Sequence, residues 1–297
     1  MILALFIACA SPEPTVVGTR PAAEREVPAH CPRPGAPEVR GALASGELDE
    51  VSGLVKSRQH EVFWVHNDSG DEPRVFAVGP SGADRGTVSL RGAEATDWED
   101  MTRLPAESGR DWLVLGDIGD NREKRASVQL YRIAEPVPGA VASVDAARME
   151  VRYPDGAHNA EVLLADPRDG GLYILTKSDH GLSGLYSVGP WKTGEVVAER
   201  VAEVQFPTGY GDAKATGGDI SEDGRWLVIR TYTTAWMFAI EGSLKDALAG
   251  ERCEVRPPVE EQGEAITFVE GGFVTVSEGK GAPLHYVPLT YPAPTPE

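Results

Sequence analysis

Short apolar runs, broken by Gly, Pro, Asn and Asp, fill the chain from residue 37 onward. Val51-Ser52-Gly53-Leu54-Val55, Val62-Phe63-Trp64-Val65, Arg74-Val75-Phe76-Ala77-Val78 and Thr87-Val88-Ser89-Leu90 follow one another with only turns between them. Runs this short, rich in β-branched and aromatic residues, predict strands. Tight turns without a crossover helix predict an antiparallel meander of four. Similar units open at Trp98-Glu99-Asp100-Met101, at His158-Asn159-Ala160-Glu161, at Gly217-Gly218-Asp219-Ile220 and at Gly263-Glu264-Ala265-Ile266. One stretch, 243–249, reads as a short helix.

Aligned on their first strands, the units begin near Ser52, Glu99, Glu161, Asp219 and Glu264. A four-stranded unit recurring about every 40–50 residues marks a β-propeller. The longer intervals beside Glu161 read as longer loops or as a sixth, degenerate blade. The last unit has only three strands, and 37–43 is strand-like without a partner of its own. It is expected to supply the outer strand of the last blade and close the ring. The predicted fold is therefore all-β: a single propeller of five four-stranded antiparallel blades over 37–290, with a tail at 291–297. A β-sandwich or two stacked β-domains is the alternative, but five like units divide poorly between two cores.

Composition sharpens this. The 33 glycines and 23 prolines suit a turn-rich chain, and the net charge of −18 argues against nucleic acid or an anionic membrane as a partner. The three cysteines, Cys9, Cys31 and Cys253, form no CxxC pair, which removes zinc-ribbon and thioredoxin-type readings. Cys9 ends the apolar run Leu5-Phe6-Ile7-Ala8-Cys9, which resembles a bacterial lipoprotein lipobox, although no Lys or Arg precedes it and the run is short. An ordinary apolar N-terminus is the alternative. Residues 10–36 are Pro-rich and without apolar periodicity, as a spacer would be. The expectation is an exported chain, lipid-anchored at Cys9 or secreted, with residues 1–9 as the signal remnant. The anchor would be its only membrane contact. In an oxidising compartment Cys31 and Cys253 can pair; two free thiols are the alternative.

The blocks HNDSGD, DWEDM, GDIGDNR, YPDGAHNAEVLLADP, GGDISEDGRWLVIRTY and QGEAITF resemble exported bacterial WD40-like propellers. Ser221-Glu222-Asp223-Gly224-Arg225-Trp226 resembles the strand–turn–strand motif of TolB-type repeats. More distantly, the acidic blade starts are similar to esterase-like phytase, gluconolactonase and paraoxonase propellers. That resemblance implies calcium in the central channel and hydrolysis of esters, lactones or phosphate esters.

In a propeller the first strands line the channel, so Glu99, Glu161, Asp219 and Glu264 are expected to converge on the axis with Ser52. Four carboxylates cannot all stay ionised side by side without a cation; otherwise their pKa values rise. Calcium, with its loose oxygen coordination, is the cofactor expected. The competing reading has these carboxylates accept backbone N–H bonds from neighbouring blades. At the second-strand ends, Asp68-Ser69-Gly70-Asp71 and Asp117-Ile118-Gly119-Asp120 share a DxGD pattern. Together with Lys177 and Arg230 they would bind a substrate, though DxGD is also an ordinary turn. His66 and His158 are the candidate general bases, or else strand-end packing residues. The tryptophans read as packing between blades.

Two functions remain. One is a binding or scaffold module, holding a small-molecule or protein ligand at an acidic, calcium-pinned channel mouth. The other is a cation-dependent hydrolase of phosphate esters, lactones or other esters. The chain is expected to be a monomer.

Overall fold

The computed structural model describes residues 28–106, 109–140, 142–209 and 211–292. The Cys9 and signal readings lie outside them. The described residues form five antiparallel sheets arranged as the five blades of a propeller.

Blade 1 runs Val51–Lys56, Phe63–Asn67, Arg74–Val78, Asp84–Arg91. Blade 2 runs Trp98–Leu104, Trp112–Asp117, Val128–Ala134, Ala147–Arg152. Blade 3 runs Ala160–Ala165, Gly171–Thr176, Leu182–Pro190, Glu199–Gln205, and blade 4 runs Ala215–Ile220, Trp226–Thr231, Ala235–Ala239, Arg252–Val255. Blade 5 takes Gly263–Val269, Gly272–Ser277 and Pro283–Thr290 from the end of the chain, and Glu38–Ala42 from its beginning. Each innermost strand packs on the next, and the fifth packs on the first. The closure expected from 37–43 is thus present. Pairing starts earlier still, where Arg33–Pro34 meets Leu289 and Thr290.

The long intervals around Glu161 hold no sixth blade. They hold two extra strands, Ser143–Asp145 and Gly194–Val197, which lie parallel along the outer edges of blades 1 and 2.

Five apolar cores sit between the blades, one per interface. Alternation along each strand divides its side chains between two of them. In blade 1 Phe63 and Val65 face blade 5, while Trp64 faces blade 2. In blade 2 Leu113 and Leu115 face blade 1, while Val114 faces blade 3. Both faces of a blade are covered, so inner strands read as unbroken apolar runs. The tryptophans in the strands belong to these interfaces; Trp64 and Trp98 are buried between blades 1 and 2.

Candidate functional site

Every inner strand carries a bulge at the same place. The register against the second strand slips between Val51 and Gly53, Trp98 and Asp100, Ala160 and Val162, Ala215 and Gly217, and Gly263 and Ala265. A bulge leaves one residue out of the ladder and re-aims it. The five residues set free are Ser52, Glu99, Glu161, Thr216 and Glu264.

This corrects the fourth position. Asp219 lies three residues further along its strand, away from the three glutamates, and lines the opposite mouth of the channel. Its Oδ2 accepts from Thr267 Oγ1 at 2.9 Å and Phe268 N at 2.8 Å, both in blade 5, and Oδ1 accepts from Ile220 N at 2.8 Å. It is a staple between blades; burial pushes its carboxyl up to about 6. Asp100 does the same between blades 2 and 3, accepting from Leu163 N at 3.0 Å. A usable sequence signal existed: Val51-Ser52-Gly53 and Ala215-Thr216-Gly217 are the same apolar–hydroxyl–glycine step. In both, the hydroxyl donates across to the next blade, Ser52 to the Glu99 carbonyl and Thr216 to the Gly263 carbonyl at 2.9 Å.

The upper mouth is a cavity of about 660 Å3, whose lining includes Asp68, Glu99, His158, Glu161, Lys177 and Glu264. Lys177 Nζ donates to Glu161 Oε1 and to Tyr232 OH, the latter at 2.9 Å. Burial alone would lower the Lys177 ammonium, but Glu161 and Glu264 outweigh it and hold it above its ordinary value. Burial raises Glu161 and Glu264. It raises Glu99 well above the usual range, with Glu161, Asp68 and Asp97 adding to the effect.

The tightest acid group is Asp68, Asp97 and Glu99, with carboxylate oxygens within 4.8 Å of one another. Asp97 belongs to it, although no sequence pattern singled it out as a ligand. Burial pushes Asp68 up to about 6 and raises Asp97 too. The second DxGD loop builds the wall of this group. Asp117 is fully buried; its Oδ1 accepts from Asp97 N at 3.1 Å and lies 2.7 Å from Arg125 Nη1. It props Asp97 instead of meeting a substrate. Gly119 makes room for the group, since a Cβ there would lie 2.2 Å from Glu99 Oε1 and 2.5 Å from Asp97 Oδ2 and would push both carboxylates aside.

These residues fit a hard cation. Among the described residues Lys177 is hydrogen-bonded on the Glu161 side, and no Lys or Arg donates to Asp68, Asp97 or Glu99; burial raises all three even with Lys177 and Arg125 nearby. Among the described residues the Glu99 carboxylate accepts no hydrogen bond although it is 3 % exposed. An all-carboxylate donor set suits calcium and not a softer ion.

The two histidines part ways. His66 is fully buried, 2.8 Å from the Asn67 carbonyl through Nδ1, and its Nε2 has no hydrogen-bond partner among the described residues. Burial holds it down to about 4, so it is a neutral packing residue against Trp98 and not a base at the mouth. His158 stays in the cavity. Its Nε2 lies 3.0 Å from Asp155 Oδ1 and 2.9 Å from Tyr186 OH. Asp155 and Tyr186, which complete this cluster, carry no signal in the sequence pattern. Arg230 leaves the list of binding residues. It is completely buried, donating to Glu260 and, at 3.0 Å, to the Ala265 carbonyl, in the space Gly263 leaves open. Cys31 and Cys253 are joined as a disulfide.

No protein-family model and no curated protein sequence matches the chain. Among solved structures it is similar to a gluconolactonase from Xanthomonas campestris, at 15% identity over 91% of this chain and 99% of that one, with a TM-score of 0.48. It is also similar to a glucose dehydrogenase, at 10% identity over 85% of this chain and 99% of that one, with a TM-score of 0.50. The likeness to the glucose dehydrogenase is one of propeller fold.

Proposed function

We propose that the chain is a cation-dependent hydrolase of a lactone, another ester or a phosphate ester, working at the upper mouth. One observation carries this reading: Asp68 and Glu99, of the three-carboxylate group, line the same cavity as a histidine oriented by a carboxylate. Asp68, Asp97 and Glu99 would hold calcium, which supplies Lewis-acid polarisation of the scissile group. Asp155 accepts a hydrogen bond from His158 Nε2–H, which fixes the tautomer and leaves Nδ1 as the base. His158 Nδ1 takes a proton from the attacking water as the new C–O or P–O bond forms, and returns it to the leaving oxygen as the old bond breaks. Lys177 would face an anionic group of the substrate.

The other reading is a binding module with the cation as a pin. It is favoured by the way Lys177, Tyr232 and Glu161 already satisfy one another on one side of the mouth. We further place the chain outside the cytoplasm as a monomer, anchored through Cys9, without a nucleic-acid partner; mass spectrometry of the mature N-terminus tests the anchor.

The test has two steps. After chelation, calcium should raise the thermal midpoint of the native protein and leave that of Glu99→Gln unchanged. A panel of p-nitrophenyl esters, phosphate esters and lactones then measures turnover, with His158→Gln expected to lose roughly 100-fold in kcat at little cost in KM. Calcium binding without turnover leaves the binding module. No response to calcium removes both readings.

A further inference from the structure

The channel has a second mouth, at the far ends of the inner strands, enclosing about 950 Å3. Its lining divides by chemistry. Ile220, Trp226, Phe268 and Val269 give apolar surface, while Arg58 and Arg103 bring guanidinium groups.

Arg58 organises the charged side. It stands in the turn after the first strand of blade 1. Its Nε and Nη2 donate to Asp111 at 2.7 and 2.5 Å. Arg103 of blade 2 donates to the same carboxylate at 2.8 Å. Asp111 is fully buried, so it is a fixed counter-ion that aims both arginines. One carboxylate between two guanidiniums leaves positive charge unmatched at the Nη1 edge of Arg58. Glu222 fills that position. It comes from blade 4, which does not adjoin blade 1, and its Oε1 accepts from Arg58 Nη1 at 3.3 Å. The pair therefore spans the lower mouth. Its side chains are 35% and 65% exposed, and ion pairs so open to water hold weakly. Of the other acids lining this mouth, Asp223 lies 2.6 Å from Arg225, Asp219 is held by its three hydrogen bonds, and neither Glu61 nor Glu270 is hydrogen-bonded to Arg58.

We infer that the lower mouth binds a small organic anion with an apolar body, a carboxylate or sulfonate on an aromatic or aliphatic frame, and that Glu222 is a displaceable internal substitute for it. The charged end takes the Arg58 edge that Asp111 leaves free, as guanidiniums take planar oxyanions. The body lies against Trp226 and Phe268. The chain's charge of −18 repels anions in general, so the attraction is local to this arginine pair. The site is separate from the acid group of the upper mouth.

Fluorescence titration of the full chain with anilinonaphthalenesulfonate, with phenylbutyrate as competitor, tests this. Native protein should bind the probe saturably and release it to phenylbutyrate. Glu222→Gln, at an exposed position, should tighten binding about threefold or more, and Arg58→Lys should weaken it about fivefold or more. Absence of saturable, competable binding in both native protein and Glu222→Gln overturns the inference. So does a dissociation constant within about twofold of native for Glu222→Gln, which decides alone if Arg58→Lys does not fold.

Discussion

At the scale of single residues, the bulge and the glycine decide the chemistry. The bulge gives the glutamates their aim, and Gly119 gives the acid group its room. Gly119→Ala should keep the fold and weaken calcium binding by about tenfold or more, measured by titration calorimetry. His66 makes a prediction of opposite kind. Its native pKa, about 4, lies below the 6.5 of an unfolded histidine. The neutral ring therefore contributes stability in full above pH 6.5, and that contribution is lost as pH falls toward 4. Between those limits native protein should lose roughly 3 kcal/mol relative to His66→Gln, at about 1.4 kcal/mol per pH unit. Denaturant unfolding of both proteins from about pH 7.5 down to about pH 4.5, which covers most of the interval between the two values, measures the gap; a constant gap removes the buried neutral ring as its cause. Sequence reading reached Glu99, Glu161, Glu264, Asp68, Lys177 and His158 of the upper mouth, because each sits at a strand end in a recurring pattern. It misplaced Asp219, Asp117 and Arg230 because a carboxylate or guanidinium at a strand end looks alike whether it faces a channel or a neighbouring blade. Only hydrogen-bond partners separate the two.

At the scale of elements, the outer edges follow a rule that no strand pattern announced. The connection between third and fourth strands reaches back over the preceding blade. From blade 2 it lays Ser143–Asp145 along blade 1, and from blade 3 it lays Gly194–Val197 along blade 2. From blade 4 it sends the helix Leu244–Ala249 against the outer strand of blade 3. From blade 1 the turn at Gly82 meets the closing strand of blade 5, where Ala44 N donates to the Gly82 carbonyl at 2.9 Å. Blade 4 takes the Cys31–Cys253 disulfide instead. Exposed strand edges invite pairing with other chains, and each blade has a cover or a clasp there. The disulfide closes a separation of 222 residues. Replacing both cysteines by serine should lower stability by about 2–5 kcal/mol, read from denaturant midpoints under non-reducing conditions. An unchanged midpoint would show that strand pairing alone seals the ring. The parallel edge strands escaped the sequence reading because three- or four-residue segments carry no period long enough to register.

At the scale of the whole molecule, repetition made the propeller readable and also limited what repetition meant. Five similar blades are five similar packing problems, so acidic starts recur for structural reasons in Asp100 and for electrostatic ones in Glu99. The two mouths differ because the bulge acts at one end of each inner strand only. The strand order adds a constraint in time. Glu38–Ala42 is made before its partner, Pro283–Thr290, which follows the strands of all the other blades. The N-terminal strand therefore waits without its partner until blade 5 has been made, and the ring cannot shut before then. Joining ends so distant in sequence is slow. The disulfide partner Cys253 likewise follows Cys31 by 222 residues, so the clasp on blade 4 and the clasp on blade 5 both wait for the late part of the chain.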